Sequence, residues 1–87
     1  MELTPAAERS LRKLDPHIRK QVTRDILLLE VDPRPHGAAQ LETAEKLYRV
    51  YVGPGKNYRA IYQVHDEVLL VLIVIVGDHK DVYRRMP

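Results

Sequence analysis

Nine consecutive apolar residues, VLLVLIVIV at 68–76, constrain this chain more than any other stretch. Six of the nine are β-branched, which favours a strand over a helix. A strand that is apolar at every position must be covered on both faces. The run is far shorter than the ~20 apolar residues that span a bilayer. It therefore predicts a central buried strand, ended by Gly77. Each aliphatic side chain fully buried there contributes roughly 1.5–3 kcal/mol. Directly behind it comes GDHKDVYRRMP, which gathers His79, Lys80, Tyr83, Arg84 and Arg85. A polar turn alone would stop the strand, so this patch is the first candidate for function.

With 87 residues, a single domain over 1–87 is expected, near the low end of the size at which one core suffices. The absence of cysteine rules out disulfides and thiolate metal sites as supplements to that core. MELTPAAERS places charges where a signal peptide needs an apolar stretch, so a soluble cytoplasmic protein with no membrane association is expected. His17, His36 and His65 show no metal-ligand spacing. Residues 1–45 carry seven basic and eight acidic side chains, whereas 46–87 carry seven basic and four acidic. The cationic surplus thus lies in the half that also holds every tyrosine, which points weakly to a polyanionic partner.

Two helix starts open the chain. Thr4-Pro5 supplies a capping hydroxyl and a proline at the first helical position, and Ala7, Leu11 and Leu14 recur at helical spacing over about 5–14. Asp15-Pro16 repeats the signal, and Ile18, Val22, Ile26 and Leu29 form one stripe that ends near Val31. Pro33 and Pro35 forbid continuation, and 32–46 reads as a connecting loop. A β-meander follows: LYRVYV (47–52), the turn GPGKN (53–57), YRAIYQVH (58–65), a tight return at Asp66-Glu67, and the apolar strand. DVYR (81–84) has the pattern of a short last strand. The predicted fold class is α+β, an N-terminal helical hairpin packed on a small antiparallel sheet. GPGKN lacks the length and following helix of a phosphate-binding loop, so it is a hairpin turn.

Strand parity sorts the side chains. Tyr48, Val50 and Val52 fall on one face with Tyr58, Ala60, Tyr62 and Val64, and this set is assigned to the helix-covered core. Arg49, Tyr51, Arg59, Ile61 and Gln63 point the other way. If the turn pairs Val52 with Tyr58, Tyr51 lies opposite Arg59 and Arg49 opposite Ile61. A slip of one residue would exchange the two faces.

The stretches KLDPHIRKQV, YRVYVGPGKNYRAIYQVHDEVLLVLIVIVG and GDHKDVYR together resemble the RelE/ParE superfamily of bacterial toxins, and closest the RelE-like mRNA interferases. The resemblance implies a toxin of a type II toxin–antitoxin system, held silent by a cognate antitoxin (RelB-like or other) and using no metal or organic cofactor. RelE-like members cut mRNA in the ribosomal A site, whereas ParE-like members poison DNA gyrase. On this resemblance Arg49 matches the first basic position of the cutting face, Arg59 the arginine of a YR pair, and Tyr83 the tyrosine of a VYR ending. Two positions depart from the pattern. Tyr51 replaces a second basic residue, with Lys56 in the turn as a substitute, and His79 stands where an arginine is expected, with Lys80 beside it. The family also opens with a strand, of which only Glu2 and Leu3 remain here, so either that strand is very short or the start codon lies upstream.

Metal-free RNA cleavage needs a base for the 2′-OH, cations for the phosphorane, and an acid for the leaving 5′-oxygen. Arginine suits the second task because its planar, permanently charged fork grips phosphate oxygens bidentately. The expected catalytic set is Arg59, His79 and Tyr83, with Arg49, Tyr51, Lys56, Lys80, Arg84 and Arg85 binding RNA. Tyr83 can act as a base only where cations such as Lys80, Arg84 and Arg85 lower its pKa from about 10. Without the resemblance such a tyrosine is more often an anchor on the sheet edge, and stacking is a third role. The competing functions are gyrase inhibition and a degenerate member that binds its antitoxin without catalysis.

Overall fold

The computed structural model describes residues 1–41, 47–68 and 70–78. Its elements run β1 (Glu2–Leu3), α1 (Pro5–Arg12), α2 (Pro16–Leu27) with a 3-10 turn at Leu28–Glu30, β2 (Ala39–Gln40), β3 (Leu47–Val52), β4 (Tyr58–His65) and β5 (Leu70–Asp78). The sheet order is β1-β5-β4-β3-β2. Every neighbouring pair is antiparallel except β1 with β5, which is parallel. The predicted α+β class, a helical hairpin on a small sheet, is therefore present, with one parallel edge.

Both helix starts form where the Thr-Pro and Asp-Pro signals place them. Thr4 does three jobs at once. Its hydroxyl accepts the Ala7 N–H at 3.1 Å and donates to the Val74 carbonyl, while its own N–H donates to the Ile73 carbonyl at 2.9 Å. This ties the start of α1 to β5 at an irregularity in the ladder. Ile61 pairs with Ile75 and Tyr62 with Ile73, so Val74 is an extra residue on the β5 side, a β-bulge.

The helices cover one face. Ala7, Leu11, Val22, Ile26 and Leu29 pack against Val50, Val52, Ala60, Tyr62, Val64, Val71, Ile73 and Val76. The opposite face carries a smaller cluster of Leu47, Ile61 and Ile75, with Leu41 and Val74 against it. This explains why β5 is apolar throughout: both of its faces meet hydrophobic neighbours.

β5 is an interior strand covered on both faces, as predicted, bordered by β4 on one side and by the two-residue β1 on the other. Two expectations are corrected. Gly77 does not end the strand: it pairs with Arg59, and the ladder continues to Asp78 opposite Tyr58. Glycine weakens a strand but is tolerated where no Cβ is wanted beside a bulky neighbour. Finally, the predicted loop 32–46 contains β2, which pairs Ala39 with Arg49 and Gln40 with Tyr48. A two-residue strand is too short to leave a periodic signal. The very short first strand expected from Glu2 and Leu3 is β1, paired with Leu72 and Ile73. The expected strand at 81–84 lies outside the described residues.

Candidate phosphate-binding face

The hairpin between β3 and β4 sets the register on which the site depends. Gly53 has φ +81° and Gly55 φ +64°, and between strands ending at Val52 and starting at Tyr58 the turn closes through a Lys56 N–H to Gly53 carbonyl bond of 3.0 Å. A Cβ on Gly53 would stand 2.9 Å from Val22 Cγ2 and 3.0 Å from Tyr58 Cδ1, so α2 presses directly on this backbone. The Asp25 carboxylate accepts the Gly53 N–H at 2.8 Å and fixes the turn to the helix. As a result Val52 pairs with Tyr58, Tyr51 with Arg59 and Arg49 with Ile61.

Arg49, Tyr51 and Arg59 thereby meet on the face away from the helices. Arg49 Nη1 donates to Tyr51 Oη at 3.0 Å. The guanidinium carbons of Arg49 and Arg59 lie 5.1 and 4.7 Å from the Tyr51 ring centroid, within cation–π range. Arg49 Nε is buried and has no hydrogen-bond partner among the described residues. A buried charged donor without an acceptor is costly, and it marks where an acceptor would be gained. The apolar cluster of Leu47, Ile61 and Ile75 shares this face, so the arginines rise from a packed surface.

Lys56, the expected substitute cation, sits exposed in the hairpin turn with φ +56°. It lines a groove of about 730 Å³ between the end of α2 and the end of β3, whose walls include Leu28, Leu29, Val31, Val50 and Tyr51. Leu27, Leu28 and Val31 are 48%, 60% and 85% exposed, an apolar strip that the helical stripe alone did not reveal. His79, Lys80, Tyr83, Arg84 and Arg85 lie outside the described residues. No cluster of three or more metal-ligating side chains occurs among the described residues.

A second polar cluster went unnoticed in the sequence. Arg34 forks onto Asp66, with Nη1 3.1 Å from Oδ1 and Nη2 2.9 Å from Oδ2, and its Nε donates to Tyr48 Oη at 3.0 Å. Asp66 first, then Tyr48, holds the guanidinium above its usual pKa. Tyr48 stacks on Tyr62 at a centroid distance of 5.7 Å, and Tyr62 Oη donates to the Pro33 carbonyl at 2.8 Å. Burial pushes the Tyr62 phenol up to about 12. Together these contacts pin the segment after α2 onto the sheet. Arg34 between two prolines, and Asp66 in a return, give no pattern that links them across the chain.

A family model for the ParE toxin of type II toxin–antitoxin systems (parDE) matches residues 1–83. The chain belongs to this ParE toxin family. Its fold is that of the RelE/ParE superfamily. The toxin aligns with a chain of the intact E. coli RelBE toxin–antitoxin complex at 26% identity, covering 88% of this chain and 92% of that one, with a TM-score of 0.71. The isolated E. coli RelE toxin aligns at 24% identity over 98% of this chain and 96% of that one, with a TM-score of 0.73. A chain of the RelB–RelE complex from Methanococcus jannaschii aligns at 18% identity over 100% of both chains, with a TM-score of 0.71. The last two likenesses concern the fold. No curated protein matches the toxin. Among the described residues, no helix is long and apolar enough to cross a membrane.

Proposed function

We propose that this type II toxin is a ribosome-dependent mRNA endoribonuclease that stops translation in the cytoplasm. The observation that supports it is the convergence of Arg49 and Arg59 on the Tyr51 ring, on the face away from the helices. Two permanently charged forks against one ring suit a phosphodiester backbone, and a fork suits better the dianionic phosphorane formed when the 2′-OH attacks the scissile phosphate. In this reading Arg59 stabilises the phosphorane, and Arg49 and Lys56 hold the flanking backbone. His79 and Tyr83 share the proton transfers, with Lys80, Arg84 and Arg85 adding positive charge near them. The reaction uses no metal or organic cofactor, because acid, base and cation all come from side chains.

The proposed partner is an antitoxin of the RelB kind, since RelE toxins of this fold are found in complexes with RelB. The exposed strip of Leu27, Leu28 and Val31 beside the groove is the apolar surface that such a partner would cover.

The deciding experiment is translation with purified ribosomes and a defined message, with cleavage read by primer extension and naked RNA as control. Cuts are expected only on ribosome-bound message. Arg59→Ala should slow them about 10²–10³-fold, the usual cost of losing one donor to a developing oxyanion. Tyr83→Phe and His79→Ala should divide the remaining proton-transfer chemistry. Intact message with folded, growth-arresting protein would refute the nuclease reading. The second reading is gyrase inhibition, favoured by the ParE family match and by a tyrosine at position 51 in place of a second cation. Loss of supercoiling activity with translation intact would select it. Stable protein that arrests nothing would indicate a member that only binds its antitoxin.

A further inference from the structure

The outward face of α2 is one the core does not explain. At about 100° per residue, Lys20, Gln21, Arg24, Leu27, Leu28 and Val31 share an arc of about 120°, away from the buried stripe of Val22, Ile26 and Leu29. All six are exposed, the three apolar ones by 48%, 60% and 85%. Leu28 and Val31 keep right-handed helical dihedrals, so the face runs on past the end of α2. Its character changes along its length. Lys20 and Arg24 stand four residues apart, a like-charge pair that weakens a helix. Among the described residues neither forms an ion pair. Leu27, Leu28 and Val31 follow. Leu28 and Val31 line the groove of about 730 Å³, together with Val50 and Val52 from β3 and with Asp32. A nucleic-acid backbone has a use for the two cations and none for the apolar half. A flat lipid surface does not enter a groove between a helix and a strand. A helix laid against α2 uses both halves, because contacts spaced three and four residues apart are how helices meet.

We infer that this face of α2 receives one amphipathic helix of the antitoxin, with acidic side chains against Lys20 and Arg24 and apolar ones against Leu27, Leu28 and Val31. This rests on the antitoxin reading and adds to it the chemistry and direction of the docking segment. The direction follows from charge: acidic residues are drawn to the Lys20 end and repelled from the end that carries Asp32.

The test uses the purified full chain and two fluorescently labelled helical peptides of about five turns. Both carry leucines on the seam of one half. On the other half the first carries glutamates and the second lysines at the same positions. Affinities are read by anisotropy at low ionic strength, where exposed charge pairs are least screened. The wild type should prefer the glutamate peptide by about five-fold or more, and Lys20→Glu/Arg24→Glu should invert the preference. Leu28→Asp should weaken both peptides by about ten-fold or more. If the charge-reversed variant fails to fold, judged by thermal unfolding, Lys20→Gln/Arg24→Gln carries the test, and the preference should vanish. A preference that survives these substitutions, or no binding of either peptide by the wild type, overturns the inference. So does a single-stranded RNA that needs Lys20 and Arg24 but not Leu28, which would assign the face to nucleic acid. A wild-type dimer that Leu28→Asp dissolves would assign it to a second copy and also overturn it. Peptide failure with antitoxin binding still weakened by Val31→Asp would remove the helix and keep the partner surface, whereas unaltered antitoxin binding would remove both.

Discussion

Replacing Gly53 with alanine should damage both stability and the site, and the size of the effect follows from three contacts. The backbone at Gly53 has φ +81° and ψ −177°, a region closed to residues with a Cβ. Forcing alanine into it costs about 1–3 kcal/mol. The new methyl would also lie 2.9 Å from Val22 Cγ2 and 3.0 Å from Tyr58 Cδ1. Val22 is fully buried, so neither neighbour yields freely, and such overpacking adds about 1–3 kcal/mol. Any shift that relieves the clash strains the Asp25 bond to the Gly53 N–H. The total is about 2–6 kcal/mol, out of the roughly 5–15 kcal/mol that a domain possesses. At about 4–8 °C per kcal/mol for a chain of this size, Tm should fall by roughly 10 °C or more. Thermal and urea unfolding of the isolated toxin measure this. A fall below about 3 °C, with an unchanged urea slope, would show that the hairpin is not pressed against α2 and would refute the reasoning.

Asp25→Ala leaves the Gly53 N–H without its acceptor and should cost about 1–3 kcal/mol by urea unfolding, whereas Asp25→Asn, which keeps an oxygen there, should cost less. Tyr62 supplies a pH prediction: its folded value of about 12 lies above the ~10 of an unfolded tyrosine, so the unfolded chain releases the proton first. Its contribution is full below pH ~10 and declines as pH rises toward 12, and Tyr62→Phe should remove that decline in unfolding curves taken across the range. Val31→Asp, on a side chain 85% exposed, should leave stability within about 0.5 kcal/mol while weakening antitoxin binding measured by calorimetry. Arg34→Ala should speed amide exchange at Ala39 and Gln40 by releasing the segment that Asp66 and Tyr48 hold, and unchanged exchange would show the latch to be ornamental.

The register of the candidate site was legible because GPGKN is a turn of fixed length between two alternating strands, so pairing Val52 with Tyr58 follows almost from counting. Thr4 and Asp15 announced both helices for equally local reasons. What escaped was non-local. The partnership of Arg34 with Asp66 joins residues far apart in the chain, and neither lies in a periodic element. Gly77 was misjudged because glycine signals both strand breaks and close approach, and only its position opposite Arg59 distinguishes the two. The contacts of Tyr51 with Arg49 and Arg59 were invisible to parity, which places three side chains on a face without saying which touches which.

The link from Thr4 to Val74 has a consequence for how the toxin is made. β1 pairs with Leu72 and Ile73, and the Thr4 hydroxyl bond spans 70 positions, so β1 and the cap of α1 are completed only when β5 is present. Contacts of such separation form late, after the loop between them has closed. A nascent chain stalled before Leu70 should therefore remain open to protease, lacking the strand on which β1, the α1 cap and β4 all rest. The sheet can close only once β5 has been made, so a growing chain that stops short of it has no finished toxin fold.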